Sequence, residues 1–577
     1  MNGGSVEKSG WPDDAAALAP LLAYWCAPAG VRRAYAAGPY GQTHFRYAQP
    51  EAPERPAVVL LHQTPSSGRP WEGVLARLGR TRVAIAPDTP GFGDSDGPDE
   101  PVAIRDYAAA LAETIKVLGV GPVDFVGDHT GAKIAAEIAR QEPALVRKLV
   151  LYGAPVYSAA QREGQREILA RKAREAAASL PETGAFLTEK WQSLRPHYAD
   201  DAPLGLIDRD FAESLRAQSR AWWGYRAAYD YSHADVLPGL TQPLLVISAN
   251  DGLAEETQRA AALVPHAVLS HWADWRVGAI SQHADELTKL LQSFLDTEPV
   301  AAAPVLAPAP GQGGAGVRRW FADAAEGQIH GRVAGSGGAQ PPLFCFHMSP
   351  RSGHYYEALL TALAGDRQVF APDTPGYGES YKPAERLDVP GYARAMASMI
   401  DGMAFETVDL LGDHTGTKVA IELARQRPDL VRRVVMNTAG VYSAEEQRAW
   451  QGKMGTIEVQ ADGSHYAALW DRYQNLNRGK LTPDQIAFRF YETIRAGPCM
   501  WWGPRAANMY LLGEVLPGVA QEIFLICSDE DSLIEPSRRG AKLLRNGHYK
   551  EYAGLGNSMM EHRVADVAGD IDAFLRR

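Results

Sequence analysis

The chain has 577 residues, too many for one hydrophobic core, since single cores stop growing at about 250–300 residues. Hydrophobic residues make up 46%, charged residues 22% and aromatic residues 9%, which fits globular domains and excludes a fibrous or disordered chain. A formal net charge of −11 with no basic block argues against nucleic acid or an anionic membrane as a partner.

Residues 1–30 form an N-terminal extension. Its apolar stretch, Ala15–Trp25, follows Asp13 and Asp14 where an export signal carries positive charge, so no such signal is expected. No apolar run approaches the roughly 18 residues that a bilayer demands. The four cysteines, Cys26, Cys345, Cys499 and Cys527, show no paired metal-ligand spacing. A soluble cytoplasmic protein with free thiols, no metal and no cofactor is expected.

From residue 31 to 296 strands and helices alternate. Val58–Leu61 and 83–86 are short apolar runs suited to parallel strands buried on both faces, and 149–152 and 244–247 supply later ones. Between them, 123–126 runs into Gly127-Asp128-His129-Thr130-Gly131, after which Ile134, Ala135, Ile138 and Ala139 mark a helical stripe. Residues 159–235 turn helical and amphipathic, as an insertion capping the strand ends. Residues 297–316, rich in Ala, Pro and Gly, predict a semi-rigid exposed linker.

The pattern then starts again and fills 317–577, with a second cap over about 444–512. His62-Gln63-Thr64-Pro65 returns as His347-Met348-Ser349-Pro350, Pro87-Asp88-Thr89-Pro90-Gly91-Phe92-Gly93 as Pro372-Asp373-Thr374-Pro375-Gly376-Tyr377-Gly378, and the five-residue turn as Gly412-Asp413-His414-Thr415-Gly416, all displaced by 285 positions. Trp222-Trp223-Gly224 returns as Trp501-Trp502-Gly503 and Asp251 as Asp531. Whole domains are duplicated in tandem.

Gly-Asp-His-Thr-Gly has the shape of the Gly-x-Ser-x-Gly nucleophile elbow, a sharp strand-to-helix turn that thrusts one side chain into a pocket. With the Pro-Asp-x-Pro-Gly-x-Gly segment, the capped region and the late acidic loop in the same order, each half resembles the α/β-hydrolase fold superfamily. The resemblance implies two α/β domains, each a mostly parallel doubly wound sheet under a helical cap. It implies backbone oxyanion donors at Gln63 and Thr130 in the first copy and at Met348 and Thr415 in the second. It implies a triad acid at Asp251 and Asp531, and puts the triad histidine near Val277 and at Asn557, where no histidine stands.

The elbow residue is forced towards positive φ, which histidine tolerates better than branched residues do. His129 and His414 at a helix N-terminus are expected to stay neutral, because the positive helix end disfavours imidazolium. Such a ring acts as general base or as nucleophile; the base role is preferred, since no second base stands where deacylation needs one. Asp128 and Asp413 are expected to cap the elbow helix, with Lys133 and Lys418 pairing to them. The tryptophan pairs Trp222, Trp223, Trp501 and Trp502 pack the caps and are candidates to wall an apolar pocket. A hydrolase acting on a small, largely apolar ester, lactone or diketone is the leading expectation, with copy two as the likelier working site because Asn557 can position water. Alternatives are a proton-abstracting lyase, isomerase or cofactor-free oxygenase, and a pseudo-hydrolase kept for ligand binding or assembly. A small-molecule substrate is the expected partner, and homo-oligomerisation is left open.

Overall fold

The computed structural model describes residues 15–177, 180–308, 316–453 and 458–577. Two eight-stranded sheets run in the same spatial order. In domain one β1 (Arg32–Gly38), β2 (Gly41–Ala48), β3 (Val58–Leu61), β4 (Ala84–Pro87), β5 (Val123–Asp128), β6 (Val146–Tyr152), β7 (Leu244–Ala249) and β8 (Val268–Trp272) line up as β1-β2-β4-β3-β5-β6-β7-β8. Domain two repeats this with β9 (Arg318–Ala324), β10 (Gly327–Ala334), β11 (Leu343–Phe346), β12 (Val369–Pro372), β13 (Val408–Asp413), β14 (Val431–Asn437), β15 (Glu522–Ser528) and β16 (Gly547–Tyr552). Only the opening hairpin of each sheet is antiparallel to its neighbours. Every residue of β3, β4, β5 and β7 is buried, as expected for strands covered by helices on both faces. The order reverses around β3 and β5, and the crevice beyond the strand C-termini there is where such sheets hold ligands.

The Pro-Asp-x-Pro-Gly-x-Gly segment has a structural purpose. Asp88, buried at the end of β4, accepts the Gly68 and Asp94 N–H groups at 2.7 and 2.9 Å, His44 Nδ1 at 2.8 Å and Arg46 Nη1 at 3.2 Å. One carboxylate thereby ties two loops to strand β2. Gly93 has φ +56°, and a Cβ there would lie 2.0 Å from Asp88 Oδ2. Gly91 also has positive φ, but its Cβ would meet nothing nearer than 3.7 Å. Gly93→Ala is therefore expected to lower the melting temperature well beyond Gly91→Ala, which carries only the backbone strain of about 1–3 kcal/mol. Equal losses would show that the Asp88 cradle has no part in it.

The domains pack on each other about a pseudo-two-fold axis. Gln42 bonds the main chain of Arg319 at 2.8 Å in both directions, and Gln328 bonds that of Arg33 at 2.7 and 3.1 Å. Asp94 and its counterpart Glu379 are each bridged by both Arg216 and Arg495, at 2.5–3.3 Å, all nine-tenths buried or nearly so. The caps also join. Trp191, Phe211, Tyr466 and Trp470 share one apolar cluster, and the N-terminal helix Ala15–Trp25 seals it with Trp25. The described residues of the 297–316 segment are mostly exposed, as expected of a linker, but the segment is anchored to domain one at two points. Leu306 is buried and exchanges two hydrogen bonds with the Gln49 side chain, while Ala303 bonds Arg55. Residues 309–315 lie outside the described residues. The described cysteines are unpaired, and no described helix is long and apolar enough to cross a membrane.

Candidate active site

β5 ends at Asp128 and the elbow helix Thr130–Gln141 begins two residues later, with His129 between them at φ 49°, ψ −103°. His414 between β13 and the helix Thr415–Gln426 has the same two angles. The flanking glycines make the turn feasible. A Cβ on Gly127 would lie 2.2 Å from the Gly131 carbonyl oxygen, and one on Gly131 would lie 2.3 Å from that of Leu61. The second contact presses the helix N-terminus against the loop that follows β3.

That loop is pinned by His62. Its Nδ1–H donates to the Gln63 carbonyl at 2.8 Å and its Nε2 accepts the Thr89 N–H at 2.8 Å. Burial keeps this ring below its ordinary pKa, and so neutral. His347 repeats both bonds at 2.9 Å with Met348 and Thr374. Among the described residues the N–H groups of Gln63 and Thr130, and of Met348 and Thr415, donate to no protein acceptor. Each copy thus keeps two unspent amides in one corner.

Asp251, held by the Leu253 N–H at 3.0 Å, reaches His129 Nε2 with its other oxygen at 2.9 Å. Asp531 is held likewise by Leu533 at 2.8 Å and lies 3.4 Å from His414 Nε2. These carboxylates overturn the expectation of a neutral elbow ring. Burial works against charge on His129, but Asp128 and Asp251 outweigh both burial and Lys133 and raise its pKa to about 9. In domain two Asp531 and Asp413 together raise His414 well above its ordinary value, again against burial. Two carboxylates beside the ring exceed the influence of a helix end.

Asp128 and Asp413 are not helix caps. Both are buried terminal strand residues, and the cap position of the elbow helix belongs to the histidine. Burial lifts Asp128 to about 6. Nor do Lys133 and Lys418 pair with them. Lys133 Nζ lies 5.4 and 5.7 Å from the Tyr157 and Tyr231 ring centres, and Lys418 Nζ lies 4.9 Å from that of Tyr442. Burial alone lowers both lysines to about 7.

The copies differ where the sequence had made them look alike. In domain two Asp413 Oδ1 stands 2.7 Å from His414 Nδ1 and accepts Asn437 Nδ2 at 2.8 Å, so both ring nitrogens face carboxylates. Domain one has Tyr152 in place of Asn437, and among the described residues His129 Nδ1 has no hydrogen-bond partner. Sequence reasoning missed this, although the exchange of Tyr152 for Asn437 at the 285-residue displacement was open to view.

The remaining candidates divide. The side chain of Asn557 lies outside the described residues. Val277 packs against the inter-cap cluster and donates its N–H to the His197 carbonyl at 3.2 Å. His283 stacks on Trp275 at 5.2 Å and His562 lies 3.3 Å from Glu561, so neither supplies a displaced triad base. Gly224 and Gly503 press on Thr64 and Ser349, which sets Trp222–Trp223 and Trp501–Trp502 over the loops bearing Gln63 and Met348. His44, Asp88 and Asp94 lie close enough together to suggest a metal site. Their oxygens are instead occupied by the Asp88 cradle and by Arg216 and Arg495.

Two such sheets, each with an elbow at its crevice, define an α/β-hydrolase architecture, and the family model for the alpha/beta hydrolase fold matches residues 56–259 and 341–483. The chain belongs to that family. It is similar to haloalkane dehalogenase 2 of Mycobacterium tuberculosis, 28% identical over 145 residues that cover 25% of this chain and 49% of the relative. It is also similar to the soluble epoxide hydrolase of Corynebacterium sp. strain C12, 32% identical over 107 residues, or 18% of this chain and 36% of the relative. The chain thus spans less than half the length of the curated relatives it matches. Among solved structures, the enol-lactonase of Burkholderia xenovorans LB400 superposes with a TM-score of 0.39 at 18% identity, covering 45% of this chain and 99% of that one.

Proposed function

We propose that the chain is a hydrolase whose working site is the elbow of domain one, acting on a small, largely apolar ester, lactone or diketone. The observation that carries this reading is the asymmetry of His129: Nε2 is tied to Asp251 at 2.9 Å, while Nδ1 has no hydrogen-bond partner among the described residues. Asp251 orients the ring and favours the tautomer that leaves Nδ1 free to accept a proton. Water then adds to the substrate carbonyl carbon as its proton passes to Nδ1, and the Gln63 and Thr130 amides receive the oxyanion. Collapse breaks the bond to the leaving group, which takes the proton back from the imidazolium. No covalent intermediate on the protein is required.

Domain two is assigned a non-catalytic role, reversing the preference for that copy drawn from Asn557. A ring with carboxylates at both nitrogens has no lone pair to offer water.

The pH profile tests the base role. With the pKa of His129 raised to about 9, the neutral base is scarce at neutrality, roughly one molecule in a hundred at pH 7. The rate kcat/KM on an uncharged ester such as p-nitrophenyl butyrate is expected to climb nearly tenfold per pH unit from 7 and to level off above about 9. Asp251→Asn removes one of the raising carboxylates and is expected to shift that limb to lower pH as it lowers the plateau. A rate that instead falls as pH rises through 9 would mean that imidazolium is the working form, and would refute the base role.

A further inference from the structure

The two elbow rings sit differently although their backbone angles match, and one neighbouring position differs in bulk. β6 ends at Tyr152 and β14 at Asn437, so Gly153 and Thr438 are equivalent. Both have positive φ, +62° and +71°. Both donate their N–H to the next strand, Gly153 to the Ile247 carbonyl at 3.0 Å and Thr438 to the Ile526 carbonyl at 2.9 Å.

A Cβ on Gly153 would lie 2.1 Å from His129 Cδ2 and 2.5 Å from its Nε2, so the ring fills the space that any other residue would need. Left-handed backbone is by itself a common reason for glycine, but it does not suffice here. Domain two holds a β-branched threonine at the same place and bears the strain of about 1–3 kcal/mol that this conformation costs. The backbone tolerates a side chain; the ring of His129 does not.

Thr438 therefore cannot coexist with a ring placed as in domain one, and the ring of His414 stands elsewhere. Its Nδ1 is 2.7 Å from Asp413 Oδ1 and its Nε2 3.4 Å from Asp531, whereas His129 Nε2 is 2.9 Å from Asp251. The Thr438 hydroxyl is buried and, among the described residues, has no hydrogen-bond partner, so this side chain supplies bulk and not a polar contact.

We propose that Gly153 and Thr438 are positioning residues that choose the carboxylate each elbow histidine takes. Gly153 admits the ring of His129 to Asp251 and leaves Nδ1 open; Thr438 turns the ring of His414 towards Asp413 and closes it. The consequence for rate rests on the reading of His129 as the base, while the placement of the rings is independent of it.

Gly153→Ala puts a methyl group where the ring lies. A crystal structure of the full-length variant should show His129 withdrawn from Asp251. Its kcat/KM on p-nitrophenyl butyrate should fall by about 10²-fold, the usual cost of a group displaced by an ångström, with the loss in kcat and not in KM. Thr438→Gly takes a branched residue out of a left-handed conformation, so folding is not at risk, and should let His414 leave Asp413 and close on Asp531. Joined with Asn437→Tyr in a His129→Ala background, it should raise kcat/KM at least about tenfold over His129→Ala alone. A ring that stays on Asp251 in Gly153→Ala, or on Asp413 in Thr438→Gly, would overturn the positioning role whatever the rates. Rings that move with no change in rate would uphold that role and remove His129 as the base.

Discussion

His129→Ala is expected to lower kcat/KM on a small ester by about 10²–10⁴-fold, the usual worth of a positioned general base, and His414→Ala by less than about threefold. The two residues have identical backbone angles and the same motif around them, so the elbow itself gives no ground for such a difference. The ground is electrostatic. His414 is clamped by Asp413 and Asp531, with Asn437 fixing Asp413, and cannot surrender a nitrogen without leaving one carboxylate buried and unpaired. Among the described residues His129 has a single hydrogen-bonded carboxylate, on Nε2, and none on Nδ1. Asn437→Tyr, which copies the residue of domain one, is expected to loosen the clamp without creating activity in a His129→Ala background, since Asp413 still abuts the ring. Steady-state rates of the three variants settle the matter. Loss of activity in His414→Ala with His129→Ala unaffected would move the working site to domain two.

Arg495→Met is expected to cost about 3–5 kcal/mol, because it takes from a pair of acids buried at the domain interface one of the two arginines that bridge them, leaving Arg216 and, on Glu379 alone, Arg46 at 3.5 Å. Asp94 and Glu379 repel one another, and burial disfavours their charge; Arg216 and Arg495 hold both below the ordinary carboxylate range. Since their folded pKa values are lowered, this stabilisation is present at neutral pH and is lost as pH falls through the acidic range. Scanning calorimetry should show a large fall in melting temperature for Arg495→Met. Adding Glu379→Gln should recover part of it, as one unpaired charge is removed. A fall of under a degree for the single variant would mean that Arg216 and Arg46 neutralise both acids without it.

Much of this was legible in the chain. Apolar runs such as Val58–Leu61, and the turn residues after 123–126, carry the local information for strand, elbow and helix, and the 285-residue repeat doubles it. Backbone devices were equally legible: His62 and the amide of Gln63 depend on loop geometry that short motifs encode. What escaped were interactions between segments far apart in sequence. The charge of His129 depends on Asp251, 122 positions away. Leu306 lies in a segment read only as an exposed linker, because its hydrogen-bond partner, Gln49, is 257 residues earlier. Motif spacing says where a histidine will point; it does not say how many carboxylates will meet it there.

The Gln42 and Gln328 exchanges across the pseudo-two-fold axis match the contacts that paired identical subunits make. Here one polypeptide carries both partners, so their association cannot be diluted away and the local concentration of each for the other is set by the tether. Unfolding should accordingly begin at the same temperature at nanomolar and at micromolar protein. A fused pair is also released from the rule that both faces mutate together, so each half is free to diverge on its own side of the interface.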